Sequence, residues 1–271
     1  LEYLWGVAIK DGGDWTFTSF ECIDRAGEKV AFEQFIDFVR ARLEQYPDLH
    51  VYHYAPYETG AIKRLMGQHA TREVDVDDLL RREVFVDLYQ VVRQSMQISY
   101  DSYSLKKVRR FFMSGAGQGA VVDGGESILE FQRFLETGDA DILAAIRTYN
   151  AEDCESTRLL RDWLLERRLE ATSQYAVDIP WATTARAVEE SPEDYDENMT
   201  LRADLAAAGH AMALTEPDGA LAAGLLTNLV DYHRREAKPG WWAYYERLKK
   251  SLDELREDTE AIAFLAPVPD V

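Results

Sequence analysis

ADILAAIRTYNAEDCESTRLLRDWLLERRLE, residues 140–170, reads as one strongly amphipathic helix or as two in tandem. Ile142, Ile146, Tyr149, Asp153, Ser156, Leu160 and Trp163 recur at helical spacing, and a stripe of that kind faces a core. Asp153 interrupts it. A carboxylate on a buried or half-buried face is costly unless it is hydrogen-bonded, paired with a cation or bound to metal. Tyr149 lies one turn earlier, so phenol and carboxylate project from the same side of the helix. A hydrolytic metal site can use such a pair. The same residues also fit a plain helix start near Asn150, with Tyr149 as a core aromatic and Asp153 in a solvated first turn. On this segment alone both readings stand.

A chain of 271 residues with 46% hydrophobic content is enough for one good core and a smaller appendage. No apolar run approaches the roughly 18 residues that cross a bilayer, and the N-terminus lacks the order of a signal peptide. No membrane association is expected. Cys22 and Cys154 make neither a disulfide framework nor a zinc cluster, which fits a reducing, cytoplasmic location. The net charge of -19 argues against a protein that coats nucleic acid nonspecifically. It does not argue against an enzyme acting on nucleic acid, because metal-binding carboxylates are themselves acidic. Glu189, Glu190, Glu193, Asp194, Asp196 and Glu197 form a run read as a solvated linker.

Residues 4–9 and 15–23 read as strands joined by a turn at Lys10–Asp14, and residues 28–44 as a helix that Pro47 ends. A short strand, HVYHYA at 50–55, precedes a helix over 58–66 with Pro56 before it, then a helical patch at 76–82 and a short strand at 84–88. The alternative for 76–88 is one longer helix. Ser102 or Ser104 suits the cap of a basic helix, 115–125 is loop-like, and 127–135 is helical. Hairpin, helix, strand, then helices describes an α/β domain with helices packed on a mixed sheet. Three regions follow: a domain over 1–170, an acidic linker over 171–204, and a helical segment over 205–271. Within the last, helices over 221–236 and 241–255 are divided by Lys238-Pro239-Gly240.

Glu58 follows a strand and opens a helix on the side of Ile62 and Leu65. An early Glu is favourable at a helix N-terminus for the dipole alone. Glu58 with Tyr149 and Asp153 can also converge at the end of a sheet, where oxygen ligands suit Mg2+ or Mn2+ and two ions about 4 Å apart activate water against a phosphodiester. Lys106, Lys107, Arg109 and Arg110 form the strongest positive cluster, which fits either phosphate contacts or a solvated helix face. Trp241, Trp242, Tyr244 and Tyr245 fit base stacking or helix packing, and packing is the expected role. His53 and His233 are read as structural.

HVYHYAPYE at 50–58, FVDLY at 85–89, SYSLKKVRRFF at 102–112 and YNAEDCESTRLLRDWL at 149–164 together resemble the RNase-H-like exonuclease module of the predicted RecB-like nuclease family, related to DnaQ-type proofreading exonucleases. The resemblance covers about residues 1–168 and continues more loosely through 233–248. YNAED matches the Tyr-x-x-x-Asp third motif of the tyrosine-containing DEDD class. The resemblance implies a ribonuclease-H-like mixed sheet flanked by helices, and a metal-dependent 3'–5' exonuclease acting on nucleic acid, DNA before RNA. It also implies a covalently linked superfamily 1 helicase, with a role in DNA repair. Asp153 is then a metal ligand and Tyr149 orients or helps deprotonate the attacking water. Glu58 falls where the wider superfamily has its second-motif Asp; Asp87, after an apolar stretch, fits either an assisting or a structural role, and the structural one is expected. The first motif, Asp-x-Glu on the first strand, has no counterpart near the start, and LEYLWGV resembles the family's second strand. The expectation is a chain lacking its first strand, with an incomplete two-ion site and little activity by itself. The rival expectation is a non-catalytic module that positions nucleic acid or braces neighbouring domains.

Overall fold

The computed structural model describes residues 1–113, 124–181, 196–230, 232–250, 252–258 and 261–262. The chain divides into two compact units, Leu1–Val188 and Glu189–Val271.

The first unit opens with an antiparallel hairpin, β1 (Leu4–Asp11) and β2 (Asp14–Glu21), in register from Leu4 opposite Glu21 to Asp11 opposite Asp14. Gly12 and Gly13 make the turn with φ of 68° and 142°, a region that a side chain would strain. Asp24 then caps α1 (Arg25–Gln45) by accepting from the Gly27 amide at 2.7 Å. Phe32, Phe35, Ile36, Val39 and Leu43 form its buried face, and Phe35 stacks on Trp5 at 4.8 Å. The short strand β3 (Val51–His53) leads into α2 (Tyr57–His69), α3 (Glu73–Arg81) and back to β4 (Phe85–Asp87), which pairs parallel to β3. A crossover of two helices suits that parallel pairing.

Beyond β4 come α4 (Leu88–Ser95), α5 (Leu105–Val108), a 3-10 turn (Arg109–Phe111) and α6 (Gly124–Thr137). The quoted stretch forms one continuous helix, α7 (Ala140–Tyr175). Its stripe faces inward as the spacing requires. Ile142 and Ile146 pack with Phe131 of α6, and Leu160 joins Leu88, Val92 and Val108 in a second cluster. Tyr3 stacks on Phe131 at 4.0 Å, which ties the α6 and α7 pair to the start of β1.

The second unit is helical: α8 (Asp196–Met212), α9 (Pro217–Leu229), α10 (Tyr232–Lys249) and α11 (Leu252–Glu257). Among the described residues no helix is long and apolar enough to cross a membrane.

Several expectations are corrected. Ala171–Tyr175 and Asp196–Asp204, read as linker, are helical, while most of the acidic run lies outside the described residues. Lys238-Pro239-Gly240 does not divide two helices, because α10 runs through it. The break falls at Val230 instead, where Arg235 Nη1 donates to the Val230 carbonyl at 2.8 Å and its other terminal nitrogen bonds the Asn228 carbonyl. Those carbonyls end α9 without helical partners, so the guanidinium satisfies them. Helix α4 was not anticipated. Finally, the strands do not form one mixed sheet: among the described residues they make two separate pairs, β1 with β2 and β3 with β4. The expectation of a mixed α/β domain flanked by helices stands, with more helix and less sheet.

Candidate functional site

Glu58 owes its position to the turn between β3 and α2. Ala55 adopts φ 71°, a left-handed conformation that costs an alanine about 1 kcal/mol or more. Both of its peptide groups are held. The Ala55 amide donates to Asp87 Oδ1 at 2.8 Å, and the carbonyl accepts from the His53 ring at Nδ1, also at 2.8 Å. Asp87 Oδ1 accepts as well from the Tyr89 amide at 2.9 Å, capping α4. Asp87 thus has a structural role: one carboxylate fastens the end of β4 to the turn that aims Glu58. His53 lies 3.5 Å from Glu58 Oε2 and is buried. Burial opposes a charged imidazole, but Glu58, the Ala55 carbonyl and Asp87 outweigh it and hold the His53 pKa above its ordinary value. Glu58 Oε2 itself is buried and makes no hydrogen bond, although the rest of the side chain reaches solvent.

Asp153 is positioned by how α7 lies on β1. A Cβ on Gly6 would stand 1.7 Å from Asn150 Oδ1, so the Asn150 side chain of α7 occupies the space that the glycine leaves open on the strand. One turn on, Asp153 is half-buried. Burial raises its pKa, while the Tyr149 hydroxyl, which donates a hydrogen bond to it, and the charges of Arg109 and Lys106 favour the carboxylate. The pairing read from the i, i+4 spacing is thus present. Asp153 and Glu58 line one cavity with Cys154, whose thiol is pushed up to about 12 by burial first and then by the Asp153 and Glu58 charges. Neither cysteine is bonded to the other.

The two carboxylates line a cavity of about 620 Å3 that runs between β1 and β3. Its walls are strand edges. The Cys22 amide donates to the Tyr3 carbonyl at 3.0 Å, so by antiparallel alternation Trp5, Val7 and Ile9 bond towards β2, while Gly6 and Ala8 direct their peptide groups the other way. The Ala8 amide reaches the Cys154 sulfur instead of a strand. Likewise the Val51 amide donates to the Val84 carbonyl at 2.8 Å, which leaves the Tyr52 peptide facing the cavity. Tyr57, just past β3, donates to Glu2, just before β1, at 2.7 Å, which ties the end of one strand's segment to the start of the other's.

The four basic residues separate. Lys106 and Arg109 act on Asp153, Lys107 is engaged by Asp101 and by Ser102 at 3.0 Å, and Arg110 lies over the Tyr100 ring at 5.7 Å. The Nε of Arg109 is buried without a hydrogen bond. Sequence reasoning missed the coupling of His53 to Glu58. The sign available was its place at the end of a strand, five residues before the carboxylate.

Among the described residues no group of three or more His, Cys, Asp or Glu is placed to hold a metal ion. Glu58 and Asp153 fit part of a divalent-ion site, two oxygen donors with one buried and unsatisfied, and not the whole of one.

Compared with known protein families, residues 1–165 match the model described as the RNase H superfamily. Neither the curated proteins nor the solved structures gave a match.

Proposed function

The chain belongs to the RNase H superfamily, and on that premise we propose that it is the core of a divalent-metal-dependent nuclease. In this reading it hydrolyses phosphodiester bonds of single-stranded DNA or DNA ends in the 3'–5' direction, within a larger DNA-processing protein that includes a helicase. The observation that carries the reading is Asp153: half-buried, hydrogen-bonded by Tyr149 and lining one open cleft with Glu58. The charges of Arg109 and Lys106 act on it there.

Glu58 and Asp153 are the residues that would hold Mg2+ or Mn2+, and the bound ion would supply an activated water and a counter-charge for the leaving oxygen. Tyr149 holds the Asp153 carboxylate in one rotamer and turns its phenol towards the attacking side. His53, 3.5 Å from Glu58 Oε2, holds Glu58 in place. Lys106 and Arg109 offer charge to the phosphates approaching Asp153.

An extended strand carrying further oxygen ligands would suit the cleft. A strand in a sheet fills roughly 160 Å3 per residue, from about 3.3 Å of rise, 4.8 Å of spacing and 10 Å of layer. By that figure the cavity accepts about four residues of extended chain. Such a strand, seated between β1 and β3, would satisfy the edges of both and bring the carboxylates of an Asp-x-Glu segment beside Asp153 and Glu58. A second reading, a non-catalytic module that positions nucleic acid, is favoured by one observation, the lack of a complete ligand cluster among the described residues.

The deciding experiment is Mg2+- and Mn2+-dependent degradation of an end-labelled oligonucleotide. This chain is compared with a longer form extended upstream through an Asp-x-Glu strand and with the extended Asp153→Asn variant. Cleavage by the extended wild type alone is the expected result. Binding without cleavage by all three would move the assignment to the positioning module.

A further inference from the structure

Phe111 and Phe112 are neighbours in sequence with different surroundings. Phe112 packs into the cluster of Val108 and Leu160 and meets Trp163 at 5.8 Å. Phe111 is 42% exposed. Its ring lies nearly parallel to Trp163, at 6.2 Å and 16°, and takes the edge of Tyr100 at 5.7 Å and 63°. Arg110, exposed, lies over the other aromatic of the group, Tyr100. The core does not need the Phe111 ring, since Phe112 already occupies the inward position, yet the ring is held rigidly by two aromatic neighbours. Close by in sequence, Lys106 on α5 and Arg109 on the same 3-10 turn place their charges where they act on Asp153. In a chain of net charge -19, this is a local patch where cations and an exposed aromatic face coincide.

We propose that Phe111, braced by Tyr100 and Trp163 and flanked by Arg110, is a base-stacking platform for a single strand of nucleic acid that leads to Asp153. The inference rests on the nuclease reading of that site and assigns the residue on which the bases of its single-stranded substrate stack. Trp163 lies ten residues along α7 from Asp153, roughly 15 Å at 1.5 Å per residue. That distance spans about four stacked nucleotides at 3.4 Å each. Stacking on one aromatic is tolerant of sequence because every base has a π-face, and the cations beside it track the backbone.

The test is fluorescence anisotropy at low salt with two labelled 12-mers of equal charge, oligo-dT and a fully abasic strand, on wild type, Phe111→Ala, Phe111→Trp and Lys106→Gln/Arg109→Gln. Stacking is worth about 1–3 kcal/mol per base, and 1.4 kcal/mol is tenfold. Phe111→Ala should therefore weaken oligo-dT binding about tenfold and leave abasic binding unchanged, while Phe111→Trp keeps wild-type affinity. The charge variant should weaken both strands alike. If Phe111→Ala unfolds, Phe111→Leu, which keeps bulk without a π-face, should show the same selective loss. Unchanged oligo-dT binding by Phe111→Ala, or an equal loss on both strands, overturns the platform. In that outcome a charge variant that still loses affinity leaves the nucleic-acid reading standing. Wild type that binds neither strand overturns the platform and that reading together.

Discussion

Gly6→Ala perturbs the seam on which α7 is laid. The added methyl would stand 1.7 Å from Asn150 Oδ1, 2.9 Å from its Cγ and 2.8 Å from Phe17 Cε2. Relief requires the Asn150 side chain to turn away and the Phe17 ring to give way, or this turn of α7 to lift off β1. Overpacking of this kind costs typically 1–3 kcal/mol. We expect about 2 kcal/mol, and at about 2–4 °C per kcal/mol for a unit of this size the melting temperature should fall by roughly 4–8 °C. Two of the three close approaches are to Asn150. In an Asn150→Ala background the same substitution should therefore cost about 1 kcal/mol, a coupling of about 1 kcal/mol between the two sites. The assay is urea and thermal unfolding of the four members of this double-mutant cycle, with the transitions of the two compact units fitted separately. The second-unit transition should not move. Additive costs, within about 0.3–0.5 kcal/mol, would refute the claim that the Gly6–Asn150 contact is what sets α7 on the strand.

Three further outcomes follow from named contacts. Glu28, fully buried, accepts from the Glu2 amide at 2.6 Å, Arg25 at 2.9 Å, His69 at 3.0 Å and Gln68 at 3.1 Å, so Glu28→Ala should cost about 3 kcal/mol in equilibrium unfolding. Burial raises its pKa, but these donors outweigh it and leave the value lowered; its contribution is present above the unfolded-state value of 4.5 and should be lost as pH falls through the folded value. Glu58→Gln removes the charge that offsets burial at His53, so the histidine pKa followed by NMR should drop; an unchanged value would break the pairing. Asp87→Ala removes the α4 cap and the anchor of Ala55 together, and should cost about 2 kcal/mol and speed amide exchange at Ala55. Protection retained there would mean that another group holds the turn.

What the sequence disclosed and what it hid divide along one physical line. The α7 stripe, the β1–β2 turn and the Tyr149–Asp153 pair depend on periods of 3.6 and 2 and on local turn chemistry, and each was legible. Helix α4 was not, because its signal, Asp87 before Leu88 and Val92, directly follows a strand and reads as more strand. The turn that aims Glu58 was hidden for a different reason. Alanine is not a turn residue, and Ala55 is held left-handed by a carboxylate 32 positions away. The basic cluster looked uniform, yet a four-residue helix and a 3-10 turn rotate its members apart, towards Asp153, Asp101 and Tyr100. The separation of the strands into two pairs depends on which edge each strand turns outward, and side-chain patterns do not encode that.

The separation matters because α7 spans it. Arg147 is bidentate to Glu21 at 2.7 and 2.6 Å, Asn150 rests on Gly6, and Arg158 lies over Trp15 at 5.1 Å, so three turns of the helix hold the β1–β2 hairpin. Arg161 then lies over Tyr52 at 5.5 Å, on β3. Asp153 sits between these grips, and Glu58 hangs from the far strand through His53 and Ala55. The distance between the two carboxylates is therefore set by how far apart β1 and β3 stand, and that spacing is bridged by one helix over an open cavity. A strand seated in the cavity would fix the spacing with two ladders of backbone hydrogen bonds. Filling the cleft and bringing the carboxylates to a defined separation would then be one event.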